Sequence, residues 1–93
     1  MRLTAADRAA IKEEARTRAP SATVYLFGSR ANDRARGGDI DLLIFPFKMD
    51  LEDRIRFKVA LADRLGDQRI DLVVSDNPND PFVRLARQSG VAL

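Results

Sequence analysis

The sequence predicts an α/β (α+β) domain in which a small mixed sheet of three or more strands is flanked by helices. Three short runs rich in β-branched and aromatic residues are separated by segments of helical composition, an alternation typical of layered α/β domains. These runs are "TVYLF", "DIDLLIF" and "RIDLVVS", at residues 23–27, 39–45 and 69–75. The chain has 93 residues, so we expect a single domain spanning residues 1–93.

The first helix is predicted between Thr4 and Arg18. Thr4 followed three residues later by Asp7 is typical of a helix start, because both side chains can accept hydrogen bonds from backbone N–H groups that lack a partner within the helix. The run that follows is rich in alanine, the strongest helix former. Pro20 cannot continue the hydrogen-bonding pattern and is expected to end the helix.

The second helix is predicted to begin after Asp50 and to end at Gly66. Apolar residues recur between these positions at helical spacing, which predicts one row of side chains facing the core. The residues of this predicted row are Ile55, Val59, Ala62 and Leu65.

A third helix is predicted from the Asp80–Pro81 pair to about Gln88, since Asp is a good cap and Pro fits the first helical position. The second helix connects the second and third strands, and a helical crossover of this kind predicts that the two strands are parallel. The connection between the first and second strands is short, so its length alone leaves their relative direction open.

The sequence contains no cysteine and no histidine, which excludes disulfides, thiol nucleophiles, Cys/His zinc sites and a Ser-His-Asp triad. Chemistry at neutral pH therefore has to use carboxylates, hydroxyls, Lys, Arg and oxygen-bound metal ions. A formal net charge of +2 is too small to indicate nucleic-acid binding by itself. The N-terminal segment lacks the apolar core of a signal peptide and no stretch is long enough to span a bilayer, so we expect a cytoplasmic protein with no membrane partner.

Acidic residues stand at the beginning of two predicted strands. Asp39 and Asp41 open the second strand and share one face, because strand side chains alternate; Asp71 comes near the start of the third strand. Parallel neighbours begin at the same edge of a sheet, so the three carboxylates are expected there together. Like charges at such a separation repel, and a bound divalent cation removes that repulsion. We therefore predict that Asp39, Asp41 and Asp71 hold Mg²⁺.

Gly28 and Ser29 end the first strand and precede a short helical or turn segment. If the first strand runs antiparallel to the second, this Gly-Ser turn reaches the same acidic edge. Backbone N–H groups and a hydroxyl at a helix N-terminus are suited to phosphate oxygens. Among the arginines that follow, Arg30 is the best placed to contact a phosphate.

Each of these features also has an ordinary structural interpretation. Ser29 alone could cap a helix, Asp39 and Asp41 could close a tight turn after two glycines, and Asp71 could pair with an arginine. Their conjunction favours a functional site, because separate structural accidents would have to coincide at one edge of the sheet.

Together these residues resemble the signature of the nucleotidyltransferase superfamily related to DNA polymerase β. That signature is a hydrophobic residue, Gly, then Gly or Ser, a spacer, Asp-hydrophobic-Asp/Glu, and a third acid on a later strand. Here it reads Phe27-Gly28-Ser29, nine intervening residues, Asp39-Ile40-Asp41, and Asp71. The small chain is similar to the minimal nucleotidyltransferases (MNT proteins), which in prokaryotes are often paired with a HEPN-domain protein in a toxin–antitoxin module.

The resemblance implies the polymerase β-like nucleotidyltransferase fold and two-metal transfer of a nucleotidyl group from ATP or another NTP. Asp39 and Asp41 would ligate both Mg²⁺ ions, and Asp71 would bind the catalytic ion and help to activate the acceptor hydroxyl. Gly28 and Ser29 would hold the triphosphate, with Arg30 beside them.

The resemblance also implies a partner. In MNT–HEPN pairs the acceptor is typically a tyrosine of the HEPN toxin, an RNase that the modification silences, so we expect an antitoxin that forms a hetero-oligomer with its toxin. Two other functions stay open: a non-catalytic antitoxin that occludes its toxin, and nucleotidyl transfer to RNA or a small molecule. A domain of this size leaves little room for a polynucleotide, so we do not expect nucleic acid as a direct ligand.

Overall fold

The computed structural model describes residues 3–28, 39–66 and 69–93, and for Asp39 the backbone alone. Within these ranges the helices are α1 (Ala5–Arg18), α2 (Leu51–Leu65) and α3 (Pro81–Ser89). The strands are β1 (Thr23–Phe27), β2 (Asp39–Phe45), β3 (Arg69–Val74) and β4 (Val91–Ala92). This mixed α/β architecture confirms the predicted fold class. The helical or turn segment expected after Ser29 lies outside the described residues.

Each helix begins at the residue that the sequence predicts. Thr4 Oγ1 accepts a hydrogen bond of 3.0 Å from the N–H of Asp7, whose carboxylate accepts one of 3.2 Å from the N–H of Thr4. The carboxylate of Asp50 accepts from Asp53 N–H at 2.8 Å, and that of Asp80 accepts from Phe82 N–H at 2.8 Å. These contacts satisfy backbone donors that would otherwise lack partners.

The four strands form one sheet in the order β3-β2-β1-β4. β2 and β3 are parallel, as predicted, and β1 runs antiparallel to β2. β4 pairs antiparallel with β1 through Tyr25–Ala92 and Leu26–Val91, and the sequence did not indicate this strand. The antiparallel direction of β1 places its end, Phe27, beside the beginning of β2.

β2 lies at the centre of the molecule and is covered on both faces. Ile40, Leu42 and Ile44 are fully buried in the larger core cluster, with side chains from α1 and α2. On the opposite face Leu43 and Phe45 pack against α3. β2 is therefore a central strand whose apolar side chains are buried on both sides beyond Asp41.

The predicted core-facing row of α2 is wrong in its main members. Ile55 and Val59 are 50% and 55% exposed, and Ala62 is also exposed. The buried residues of α2 are Phe57, Leu61 and Leu65, so only Leu65 was assigned correctly. Two apolar rows at helical spacing coexist on this helix, and the row that carries the aromatic ring has more apolar surface to bury against the sheet.

Arg64 fixes α2 to α1. Its guanidinium donates to the carboxylate of Glu13 at 2.9 Å and to that of Glu14 at 3.3 Å. The hydrogen bond to Glu13 is the main reason that the pKa of Arg64 is raised, and Glu14 adds to the effect. α1 therefore occupies the side of α2 on which Arg64 lies.

None of the helices in the described ranges has both the length and the apolar character required to cross a membrane.

Candidate active site

Asp41 and Asp71 are direct register partners on neighbouring parallel strands. Neighbouring strands lie about 4.8 Å apart, and residues in register project their side chains to the same face. Both residues are half-buried. The structure therefore brings together two of the three predicted metal-binding acids.

The two acids continue a line of residues that crosses the sheet. Asp41 pairs with Phe27 on β1 as well as with Asp71 on β3. The line Phe27–Asp41–Asp71 lies on the face that α3 partly covers, because Phe27 and Leu43 belong to the cluster around Val83. The carboxylates thus lie directly beyond the apolar surface that β2 buries against α3.

Gly28 lies against the carboxylate of Asp41. Its backbone has a φ of +72°, a left-handed conformation that side chains with a Cβ rarely adopt. A Cβ added at this position would lie 2.3 Å from Oδ2 of Asp41 and 3.1 Å from its Cγ. Glycine is therefore required here both by the backbone conformation and by the approach of the acid.

The structure describes only part of one predicted site residue and leaves two others undescribed. The backbone of Asp39 lies in β2 opposite Arg69 of β3, whereas Ser29 and Arg30 lie outside the described residues. Among the side chains that the structure describes, no group of three or more acids is placed to hold a metal ion. Asp41 and Asp71 are thus the described pair, and the predicted roles of all six residues stay predictions.

Comparison with known protein families assigns the chain to one of them. A family described as polymerase beta, nucleotidyltransferase matches residues 9–93, which include every predicted site residue. The chain belongs to this nucleotidyltransferase family. No curated protein sequence matches the chain. Family membership supports nucleotidyl transfer as the general activity, and such enzymes generally use an NTP and a divalent metal ion.

The described acids of this nucleotidyltransferase fit a hard divalent cation. Carboxylate oxygens are the ligands that Mg²⁺ prefers, and two acids in register on adjacent strands present such groups on one face of the sheet. Asp41 and Asp71 are both half-buried, so each residue is partly open to solvent. The absence of a side chain on Gly28 allows the carboxylate of Asp41 to lie directly against the glycine backbone.

A cavity of about 470 Å³ lies at the other end of the sheet from the acids. It is lined partly by Phe47, Lys48 and Met49, which follow the carboxyl end of β2, whereas Asp41 stands near the amino end. This cavity is therefore separate from the candidate active site.

Phe82 is a neighbour of the site that the sequence did not identify. Its side chain is 45% exposed. Its ring contacts Phe27 edge to face, with centroids 5.4 Å apart and planes at 81°. The signal that could have found it is its position two residues after the Asp80 cap, but only the tertiary contact with β1 places it against Phe27, the register partner of Asp41.

Proposed function

We propose that the chain is a Mg²⁺-dependent minimal nucleotidyltransferase that acts as an antitoxin. In this proposal it transfers AMP, or another NMP, from the corresponding NTP to a tyrosine hydroxyl of a cognate HEPN RNase toxin and thereby neutralises it. Nucleotidyl transfer follows from the family. The antitoxin role and the tyrosine acceptor rest on the likeness of the motif to minimal nucleotidyltransferases.

The observation that carries the proposal is the position of Asp41 between Gly28 and Asp71. Asp41 is in register with Asp71 on the next strand, and its carboxylate lies against the backbone of Gly28. Gly28, which we assign to phosphate binding, is thus adjacent to the pair of acids, and transfer of a phosphoryl-linked group requires such proximity. Separate caps and ion pairs would give no reason for this adjacency.

In the proposed reaction the tyrosine oxygen attacks the α-phosphorus of the NTP. The bond between the α-phosphorus and the bridging oxygen breaks, and pyrophosphate leaves with that electron pair. We assign Asp71, on the outer strand, to the acceptor side, where its carboxylate accepts the hydroxyl proton. Mg²⁺ held by Asp39, Asp41 and Asp71 would supply positive charge that offsets the phosphate oxygens.

The remaining assigned residues orient the nucleotide. Gly28 and Ser29 would donate backbone N–H groups and a hydroxyl to the triphosphate, and Arg30 would add a charged donor. These donors would hold the departing pyrophosphate in line with the attacking oxygen, which is the main task of a protein in this type of reaction.

The test uses the purified chain, the protein encoded by the neighbouring gene, Mg²⁺ and each NTP labelled at the α-phosphate. We expect label on a tyrosine of the partner with the wild type. Asp41→Asn and Asp71→Asn should reduce the rate by at least about a hundredfold, because each removes a carboxylate on which the site depends. The matched control is Asp63→Asn, which neutralises an exposed acid on α2 and should leave transfer unchanged.

Other outcomes would contradict the protein acceptor or the catalytic mode of neutralisation. A folded partner that receives no label contradicts protein nucleotidylylation, and label on added RNA instead would assign RNA as the acceptor. Co-expression with the toxic partner separates catalysis from occlusion. If an Asp39→Asn/Asp41→Asn double variant protects cells as well as the wild type does, neutralisation is by binding.

A further inference from the structure

An exposed apolar row runs along α2. Leu51, Ile55 and Val59 recur every four residues and are 63%, 50% and 55% exposed. Helical geometry places this row, which we name the α2 row, about 120° around the helix from the core-facing side chains. A continuous apolar row on the exposed side of a surface helix is typical of a contact surface.

The α2 row overhangs the β3 edge of the sheet. α1 lies on the other side of α2, where Arg64 binds Glu13 and Glu14. Beneath, α2 packs against β3, and in the described residues β3 has β2 as its only neighbour in the sheet. The α2 row and the outer edge of β3 are therefore adjacent.

Two hydrogen bonds show how the backbone of β3 is oriented. Ser75 donates its N–H to the carbonyl of Ile44 at 3.2 Å, and its carbonyl accepts from the N–H of Phe47 at 3.0 Å. Both groups of Ser75 thus point toward β2. Since this orientation alternates along a strand, the outward N–H and C=O groups of β3 belong to Ile70, Leu72 and Val74.

We propose that this edge binds an extended segment of the acceptor protein as an additional antiparallel strand, with the acceptor hydroxyl opposite Asp71. The inference rests on the proposed function, because it concerns how the acceptor reaches the same site. Strand addition to an open sheet edge is an established mode of peptide recognition, in which backbone hydrogen bonds provide affinity and alternate side chains provide specificity.

The line across the sheet indicates the side from which the acceptor enters. On the inner side of Asp41 the line ends at Phe27, which is in contact with Phe82 and is followed by Gly28. On the outer side it ends at Asp71, on the edge strand. A strand added to β3 continues the line and brings its own side chain next to Asp71.

The pairing geometry fixes which residue of the segment faces the acid. Because Ile70 and Leu72 carry the outward backbone groups, the residue opposite Asp71 forms a non-hydrogen-bonded pair, in which Cα atoms are about 4.5 Å apart and side chains share a face. The two residues that flank it point to the other face, toward the α2 row.

The same geometry defines the class of segment that binds. A hydroxyl residue should lie between two apolar residues, whose side chains bury against Val59, the member of the α2 row nearest to the Asp71 end of β3. Arg54 and Lys58 border the α2 row on the side near β3, and Lys58 is exposed. Acidic residues at the ends of the segment therefore complement this surface.

The test probe is a blocked synthetic peptide with a central tyrosine between two valines and glutamates at both ends. Titration with the full chain should protect the amides of Ile70, Leu72 and Val74 from hydrogen exchange. The amides of Asp71 and Val73 already face β2 and should change little. Val59→Lys should weaken binding by at least about tenfold, because a charge then faces the apolar residues of the peptide.

Matched controls separate docking from general effects. Leu85→Lys changes a residue that is 61% exposed on α3, on the opposite face of the sheet, and should bind as the wild type does. A peptide with both valines N-methylated lacks the donors that pair with β3 and should not bind. Unchanged exchange at all three outward amides, or equal binding by Val59→Lys, would overturn the inference.

The two proposals fail differently. If the peptide protects the β3 edge but no nucleotide is transferred to tyrosine, the docking surface stands and the proposed reaction does not. The partner protein could instead be labelled although it does not protect the β3 amides from hydrogen exchange, and the Val59→Lys variant could label it at the wild-type rate. In that case the reaction stands and the docking surface is wrong.

Discussion

Gly28 and Asp41 are in such close contact that the glycine has no space for a side chain. A Cβ on Gly28 would lie 2.3 Å from Oδ2 of Asp41, well inside the distance at which carbon and oxygen repel. The contact joins the end of β1 to the beginning of β2 on the side of the acid pair. Any substitution at Gly28 therefore displaces the carboxylate on which the candidate metal site depends.

We expect Gly28→Ala to weaken the binding of Mg²⁺ and NTP by at least about tenfold. The methyl group displaces the Asp41 carboxylate, and the left-handed φ of +72° adds backbone strain of about 1–3 kcal/mol to the folded state. Isothermal titration calorimetry measures the affinity, and denaturant unfolding measures the stability.

Gly66→Ala is the matched control for this prediction. Gly66 also has a left-handed φ, of +80°, but no atom lies within 4 Å of an added Cβ. The variant should lose a similar amount of unfolding free energy and keep its affinity for Mg²⁺ and NTP. Equal loss of affinity in both variants would show that the effect comes from backbone strain alone.

Asp71→Asn should abolish most of the stabilisation that Mg²⁺ gives. In the wild type an ion bound at a hundredfold excess over its dissociation constant raises the unfolding free energy by about 2.7 kcal/mol. In EDTA the variant should be about as stable as the wild type, because no bound ion is then present whose ligand the substitution removes. Thermal unfolding with and without Mg²⁺ measures both effects, and a metal-free variant less stable than the wild type contradicts the second.

The sequence was sufficient to locate the acids because strand geometry has so few alternatives. The bounds of β2 follow from its β-branched and aromatic content and from Pro46, and the period of two places Asp41 on one face. The crossover helix requires β2 and β3 to be parallel, and their beginnings then meet at one edge. The register of Asp41 with Asp71 is thus a consequence of patterns that are local in the chain.

The features that could not be predicted depend on contacts between distant segments. β4 is only two residues long and exists because Val91 and Ala92 find partners on β1, so no local pattern marks it. α2 carries two apolar rows, and periodicity cannot decide which of them faces the sheet. The contact of Phe82 with Phe27 likewise depends on how α3 lies across β1.

The corrected orientation of α2 predicts losses of very different size for two large-to-small substitutions on this helix. Leu61→Ala removes a fully buried side chain and should lower the unfolding free energy by about 2–5 kcal/mol. Val59→Ala removes methyl groups from a side chain that is 55% exposed and should cost less than about 0.5 kcal/mol. Urea unfolding of the isolated chain compares them, and a larger loss for Val59→Ala would restore the original prediction.

The contact between Phe82 and Phe27 should couple the start of α3 to the acidic end of the sheet. Edge-to-face pairs contribute about 0.5–1.5 kcal/mol beyond the area they bury, so a double-mutant cycle of Phe27→Leu and Phe82→Leu should show a coupling of that size. Since Phe27 is in register with Asp41, Phe82→Leu should also lower the rate of nucleotidyl transfer, whereas Leu85→Ala, on the exposed side of α3, should not. A coupling near zero would show that the two rings pack independently and that α3 does not help to position Asp41.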